Sequence, residues 1–259
     1  MSKLWVLDRE PGDEMHDFFR RNLPWLLLIL VLLGLVLAGP LHLPPGYHDF
    51  ADHRNLFGIA NAIDVLSNLG FLFAGLWGLW VVSHLPKTPA RFWWYAFALA
   101  VAWVCFGSGW YHLAPDDARL VWDRVPIELV CATLLTAVIS EHYQLSVGQS
   151  AVLGVLLSVA ALVAVFGIPW FAGDLRPYLS LQIAVLILVP ALSWGDRVRR
   201  FWFTSASLLY VLAKLAEVAD AQILALTGGL SGHSLKHLLA AAASAAVIFA
   251  LSQRQPEKL

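Results

Sequence analysis

Two pairs of polar side chains in this sequence are spaced four residues apart at the edges of long apolar stretches. Ser108 and His112 close one stretch, and His233 and His237 open the last one. Residues four apart share one face of a helix, and two imidazoles at that spacing can bind one metal ion. Taken alone, the second pair is equally compatible with two unrelated polar residues near an interface. Together the pairs offer three imidazoles, the ligand set of a catalytic zinc that keeps a fourth position for water.

A carboxylate stands close to the first pair along the chain. Asp123 follows His112 after one short loop and is predicted to begin the next apolar segment. Zinc lowers the pKa of a bound water to about 7, and Asp123 could hold or accept the proton of that water. Ser108 could donate a hydrogen bond to a developing oxyanion. This combination predicts hydrolysis of an amide or an ester.

A third polar cluster precedes and enters the second apolar segment. Its side chains carry hard oxygen atoms and belong to Asp49, Asp52, Asn61, Asp64, Ser67 and Asn68. Three of them, Asn61, Asp64 and Asn68, share one helical face by their spacing. Ser67 and Asn68 are more typical of a polar seam of helix caps and interhelical hydrogen bonds.

The composition places these clusters in a membrane. Of the 259 residues, 59% are hydrophobic and only 14% are charged, whereas soluble domains carry about 25% charged residues. The formal net charge of −1 gives no indication of a nucleic-acid partner. Cys105 and Cys131 both fall inside apolar segments and are interpreted as small buried hydrophobic residues. The partner that this composition predicts is the membrane itself.

Eight apolar segments are long enough, or nearly so, to cross a bilayer. They are Leu23–Gly39, Ile59–Ser83, Phe92–His112, Arg124–Ser140, Ser150–Phe166, Tyr178–Leu192, Phe201–Ala219 and Leu235–Leu251. The first lacks a signal-peptide cleavage pattern and is predicted to remain as an uncleaved helix. The sequence therefore predicts an all-α integral membrane protein with eight spans.

Basic residues predict its orientation, because they favour the cytoplasmic side of short loops. With the N-terminus in the cytoplasm, that side holds Lys3, Arg9, Arg20, Arg21, Lys87, Arg91, Arg197, Arg199, Arg200, Arg254 and Lys258. The opposite side holds Arg54, Arg119, Arg124 and Arg176. Both termini are then cytoplasmic, and the polar clusters lie on the non-cytoplasmic side.

Three further charged residues lie inside or beside the last two spans. Lys214 and Glu217 are about one helical turn apart and are interpreted as a structural ion pair. Lys236 is expected to extend its ammonium group to the membrane interface.

The order of these motifs resembles that of the alkaline ceramidases. These enzymes belong to the wider CREST group of membrane hydrolases, which also includes the adiponectin receptors. The shared pattern is Ser-x-x-x-His at the end of one span, Asp at the start of the next and His-x-x-x-His in the last. Ser67-Asn68 is similar to a Ser-Asn pair early in the family's first core span. The matching residues extend from about Tyr47 to Ala243.

The resemblance implies a seven-helix core, residues 41–259, preceded by residues 1–40 with one additional transmembrane helix. It also implies a zinc ion held by His112, His233 and His237, and cleavage of a lipid N-acyl bond, as in ceramide. The products would be a fatty acid and a free amine.

The family also binds calcium through acidic residues ahead of its first core span. The resemblance places Asp49, Asp52, Asn61 and Asp64 at or near ligand positions. Calcium takes about 6–8 oxygen ligands, and this segment supplies few acids. The sequence therefore predicts only a partial calcium site.

Two other functions fit parts of the pattern. A haem-binding electron carrier would use histidines on different helices as axial ligands, but it would need them to face each other deep in two spans. A receptor or transporter with a structural metal ion would leave Ser108 and Asp123 without a role.

Overall fold

The computed structural model describes the backbone of residues 11–253 and the side chains of residues 22–253. This part of the chain forms ten helices and no strand. They are α1 (Pro11–Leu37), α2 (Ala62–Ser67), α3 (Leu69–Ser83), α4 (Arg91–Leu113), α5 (Asp117–His142), α6 (Val147–Phe166), α7 (Arg176–Ala191), α8 (Arg197–Val218), α9 (Asp220–Thr227) and α10 (Gly232–Ser252). Some basic residues used to predict the membrane orientation lie outside the described residues, namely Lys3, Arg9, Arg254 and Lys258. The side chains of Arg20 and Arg21 also lie outside the described part.

Six helical segments in this part of the chain are long and apolar enough to cross a membrane. They are Ala62–Ser83, Arg91–Leu113, Asp117–His142, Val147–Phe166, Arg197–Val218 and Gly232–Ser252. Two shorter apolar helical segments, Asn22–Leu37 and Arg176–Ala191, accompany them. These segments indicate an all-α, multi-pass membrane protein, as the composition predicts.

Several helices begin earlier than the apolar segments predict, because polar residues cap their first turns. The Asp116 carboxylate accepts a hydrogen bond from the Arg119 N–H, so α5 begins at Asp117 rather than at Arg124. Ser146 and Gln149 form a capping box at the start of α6. Such caps satisfy N–H groups that the helix itself leaves unpaired. As a consequence, Asp123 lies in the second turn of α5 and does not begin the span.

The second span begins later than predicted, at Ala62 instead of Ile59. Phe57, Gly58 and Asn61 all have positive φ angles, a backbone conformation that a right-handed helix excludes. The span is also interrupted at Asn68, which separates α2 from α3.

Small residues bring the central helices close together. A Cβ atom on Gly75 of α3 would lie 2.6 Å from the Ala102 Cβ atom of α4, and one on Gly78 would lie 3.0 Å from the Ala98 Cβ atom. Lipid tails are as apolar as the side chains, so the hydrophobic effect does not drive helices together inside a bilayer. Close backbone packing of this kind stabilises their association instead. The helices α4 and α5 are the most buried of the long spans, while α6 and α8 are the most exposed.

The outer surface of the bundle is apolar. Large hydrophobic side chains such as Phe73, Leu99, Val155 and Leu208 are more than half exposed. A soluble protein rarely exposes continuous apolar surface on this scale, whereas a lipid environment accommodates it.

Candidate metal centre

Three imidazoles from two distant segments of the chain meet inside the bundle. His112 belongs to the last turn of α4, while His233 and His237 lie in the first turns of α10. The three ring centroids are 4.7 to 4.9 Å apart, and all three residues are buried. They are the single group of three histidine, cysteine or acidic residues within the described chain that could hold a metal ion.

The spacing of the ring nitrogens suits a shared ion. The Nε2 atoms of His112 and His233 are 3.1 Å apart. Two nitrogens that each lie about 2.0–2.1 Å from a tetrahedral zinc ion are separated by roughly 3.3 Å. The Nε2 atom of His237 is buried and has no hydrogen-bond partner. A cation would satisfy this buried lone pair, so the residues fit a metal ion.

A hydrogen-bond chain orients His237. Its Nδ1 atom is 2.8 Å from Ser67 Oγ, and that hydroxyl donates its own hydrogen to the Asp64 carbonyl oxygen. The Ser67 oxygen must therefore accept a hydrogen from Nδ1, which leaves Nε2 as the free lone pair. Metal-binding histidines are commonly held by such a hydrogen bond from the second ring nitrogen.

The start of α10 is attached to neighbouring segments. A Cβ atom on Gly232 would lie 2.2 Å from the Ala216 carbonyl oxygen, so the backbone of α10 touches the end of α8. One carboxylate oxygen of Asp220 accepts a hydrogen bond from the His233 N–H, and the other accepts from the Ala51 N–H. These contacts determine where His233 enters the site.

Asp64 joins α2 to α10 on the same side. Its carboxylate is fully buried and accepts hydrogen bonds from the hydroxyl groups of Ser231 and Ser234. The nearby Phe50 ring lies 4.2 Å from the His233 ring and 4.8 Å from the His112 ring. Phe50 thus covers one side of the three histidines with an apolar surface.

Ser108 and Asp123 line one cavity beside a close approach of α4 and α5. A Cβ atom on Gly107 would lie only 2.2 Å from the Trp122 carbonyl oxygen. The residues that follow, Ser108 and Asp123, are both buried, and both line the cavity that His237 also lines. Within the described part of the chain, neither side chain has a hydrogen-bond or ion-pair partner, so both are available to a bound molecule.

This cavity lies between α3, α4, α5, α7, α8 and α10 and is largely apolar. Its apolar wall includes Phe71, Phe97, Leu134, Val189, Phe203 and Val247. Its polar lining includes Ser108, Asp123, Tyr178, Lys214, Lys236 and His237. These six residues come from the same ends of their helices, so this end of the cavity is polar. Farther along, Gln182, Ser207, Tyr210 and Ser244 add polar atoms to a wall that is otherwise apolar and could accommodate a hydrocarbon chain.

The structure does not assemble the expected calcium ligands into one site. Asp49 is exposed, while Asp52 is buried and forms a two-point ion pair with Arg54. The hydrogen bonds from Arg54 hold the pKa of the Asp52 carboxyl below its ordinary value. Asn61 donates its amide hydrogen to the His112 carbonyl oxygen, 2.8 Å away. Asn61 and Asp64 therefore bind neighbouring helices, and Asp52 is neutralised by Arg54.

Two residues near the site make contacts that the sequence did not indicate. Ser67, interpreted as part of a polar seam, contacts a histidine of the site. Lys236, expected at the membrane interface, instead donates to Glu217, whose other oxygen pairs with Lys214. Lys236 directly precedes His237 in the sequence, and this adjacency could have indicated that Lys236 lies near the three-histidine group.

Comparison with protein-family models, curated proteins and solved structures finds no match to this chain. The fold and the site define an all-α, multi-pass membrane protein with a buried three-histidine group that could hold a metal ion.

Proposed function

We propose that this protein is a zinc-dependent hydrolase, similar to alkaline ceramidases, that cleaves the N-acyl bond of ceramide or a related lipid within the membrane. The observation that carries the proposal is one shared cavity. Ser108, Asp123 and His237, the last a member of the three-histidine group, all line a space whose remaining walls are mostly apolar.

The donor set favours zinc. Three neutral imidazoles with no carboxylate or thiolate among them are typical of catalytic zinc sites that keep one position open. When bound, zinc would polarise the amide carbonyl and lower the pKa of a water molecule to about 7.

Two residues at the polar end of the cavity, Asp123 and Ser108, then take part in the reaction. A carboxylate oxygen of Asp123 accepts the proton of the attacking water and passes it to the nitrogen of the leaving amine. Ser108 Oγ donates its hydrogen to the carbonyl oxygen as negative charge develops there. The apolar wall holds the acyl chain and excludes bulk water.

The proposed architecture has eight spans, formed by the six long segments and the two shorter apolar helices. Residues 1–40 then contribute the additional helix, and residues 41–259 form the seven-helix hydrolase core. The site lies toward the non-cytoplasmic side, where the end of α4 meets the starts of α2, α5 and α10.

Two alternatives fit the site less well. A haem carrier needs a macrocycle between its axial histidines, and Nε2 atoms 3.1 Å apart leave no room for one. A receptor or transporter with a structural metal ion gives no use to Ser108 and Asp123, whose side chains face the cavity unpaired.

Metal content and lipid hydrolysis, measured on the same purified preparations, test the proposal. We expect wild-type protein to contain about one zinc ion per chain and to release fatty acid from labelled ceramide or another N-acyl lipid. His237→Ala should lose both metal and activity. Asp123→Asn should keep the metal and lose about 10²–10⁴-fold in kcat, the usual contribution of a general base.

His84→Ala is the matched control, because His84 lies in the loop after α3, away from the site. It should retain both metal and turnover. Full hydrolysis by metal-free His237→Ala would refute the role of the metal. A metal-loaded wild-type protein that releases no fatty acid from any N-acyl lipid would favour the receptor or transporter.

A further inference from the structure

A cationic cluster lies at the polar end of the cavity. Lys214 Nζ is 2.9 Å from one carboxylate oxygen of Glu217, and Lys236 Nζ is 3.0 Å from the other. Both lysines line the cavity. Each ammonium group carries three N–H donors but makes only one hydrogen bond within the described part of the chain. Two lysines thus share one carboxylate and retain donors for a bound molecule.

Arg124 adds a third cation beside this cluster. Its guanidinium carbon lies 5.1 Å from the centre of the Tyr178 ring and 6.0 Å from that of Tyr47. Tyr178 itself lines the cavity. Arg124 is buried, yet none of the carboxylates in residues 22–253 forms an ion pair with it. The aromatic rings contact this charge, and the Glu128 carboxylate, four residues later on α5, interacts with it electrostatically.

Charged groups of both signs lie around this end of the cavity. The cations belong to Lys214, Lys236 and Arg124, and the carboxylates belong to Glu217, Asp123 and Glu128, the last of which interacts electrostatically with Arg124. Asp123 is close enough to interact electrostatically with both lysines. Charged groups inside a membrane are costly unless they are paired, and such groups commonly mark a substrate site.

We infer that this cluster, which we call the Lys214–Lys236 site, binds an anionic group on the amine side of the lipid amide. The inference rests on the proposed function and specifies its substrate class as an N-acyl lipid that carries a carboxylate or a phosphate. The acyl chain lies along the apolar wall, so the other substituent of the amide occupies the polar end, where the lysines are. Lys214, with 44% of its side chain exposed, is accessible to such a group.

Three lipids with the same chain and the same amide test this preference. They are N-dodecanoylethanolamine, which is neutral, its O-phosphate, and N-dodecanoylglycine, which carries a carboxylate. We expect wild-type kcat/KM to be about tenfold or more higher for at least one anionic lipid, as charge-assisted hydrogen bonds to the lysines would produce. Comparing kcat/KM for the O-phosphate with kcat/KM for N-dodecanoylglycine shows whether the site prefers a phosphate or a carboxylate.

Lys214→Met should bring the ratio of anionic to neutral kcat/KM close to one, whereas Lys214→Arg should retain most of it. Lys87→Met, which removes a lysine from the exposed loop before α4, should keep the wild-type ratio. A wild-type enzyme that cleaves all three lipids equally well would overturn the inference while leaving the hydrolase intact. This comparison requires no variant and so does not depend on whether Lys214→Met folds.

Binding without chemistry provides the second readout. We expect dodecyl phosphate to raise the melting temperature of wild-type protein in neutral detergent more than 1-dodecanol does, and Lys214→Met to abolish the difference. If this difference appears but no lipid is hydrolysed, the anion site stands and the hydrolase proposal fails. If Lys214→Met weakens the effects of both compounds equally, the lysine has a purely structural role and the inference is wrong.

Discussion

At the scale of single residues, the contact between Ser67 and His237 determines how the candidate metal centre is prepared. The hydroxyl of Ser67 donates to the Asp64 carbonyl oxygen, so it can only accept from His237 Nδ1. The imidazole is thereby held with Nε2 directed to the shared site. A serine that never touches the metal would then control both the tautomer and the orientation of a ligand.

Ser67→Ala should weaken metal binding by about 10–100-fold, the usual effect of removing a hydrogen-bond partner from a metal-binding histidine. Competition with a fluorescent zinc chelator measures this change. Ser205→Ala is a suitable control, because the Ser205 hydroxyl bonds only a backbone carbonyl of its own helix. Equal zinc affinity in Ser67→Ala and Ser205→Ala would show that Ser67 does not support His237.

At the scale of helices, the close approach of α4 to α5 at Gly107 places the two proposed catalytic side chains at one cavity. The space for any side chain at this position is occupied by the Trp122 carbonyl oxygen. Two residues further along α4, Gly109 has no atom of a neighbouring residue within 4 Å of its Cβ position. Two glycines of the same motif thus differ in what they contribute to packing.

Gly107→Ala should therefore destabilise the protein by about 1–3 kcal/mol through overpacking and should reduce turnover by separating Ser108 from Asp123. Gly109→Ala should be tolerated or slightly stabilising, because alanine is favoured over glycine in a helix by about 1 kcal/mol. Thermal unfolding in detergent and fatty-acid release compare the two variants. Equal stability of both would contradict this account of the α4–α5 contact.

At the scale of the whole molecule, alternation of the helices brings the end of α4 and the starts of α2, α5 and α10 to the same end of the bundle. This arrangement is a consequence of antiparallel packing between consecutive spans, and it gathers polar residues that the chain keeps far apart. The side of the membrane on which this end lies follows from the proposed eight spans and from the positive charge of the opposite loops.

Single cysteines introduced into a Cys105→Ala, Cys131→Ala background test that orientation. A membrane-impermeant maleimide added to intact cells should label His53→Cys, and should label Ser2→Cys and Lys87→Cys only after the membrane is permeabilised. Labelling of Ser2→Cys together with His53→Cys would show that the first helix does not cross. Labelling of Lys87→Cys but not His53→Cys would show that the orientation is inverted.

The sequence was sufficient to predict an all-α membrane protein and the residues of the three-histidine group. Lipid offers no hydrogen bonds to the backbone, so a segment that crosses the bilayer must pair its own N–H and C=O groups as a helix. A sufficiently long apolar segment therefore predicts a membrane-spanning helix. The spacing of His233 and His237 places them on one face of a helix, which is a local property. The exact ends of the helices were harder to predict, because capping residues such as Asp116 and Ser146 extend helices into polar sequence.

Only the tertiary structure decided which polar groups meet. His112 and His233 are 121 residues apart in the chain, and no periodicity encodes the distance between their rings. The same holds for the contact of Ser67 with His237 and for the sharing of Glu217 by two lysines. Local patterns determine which face of a helix a side chain occupies, but the packing of small residues such as Gly107 and Gly232 determines what that face contacts.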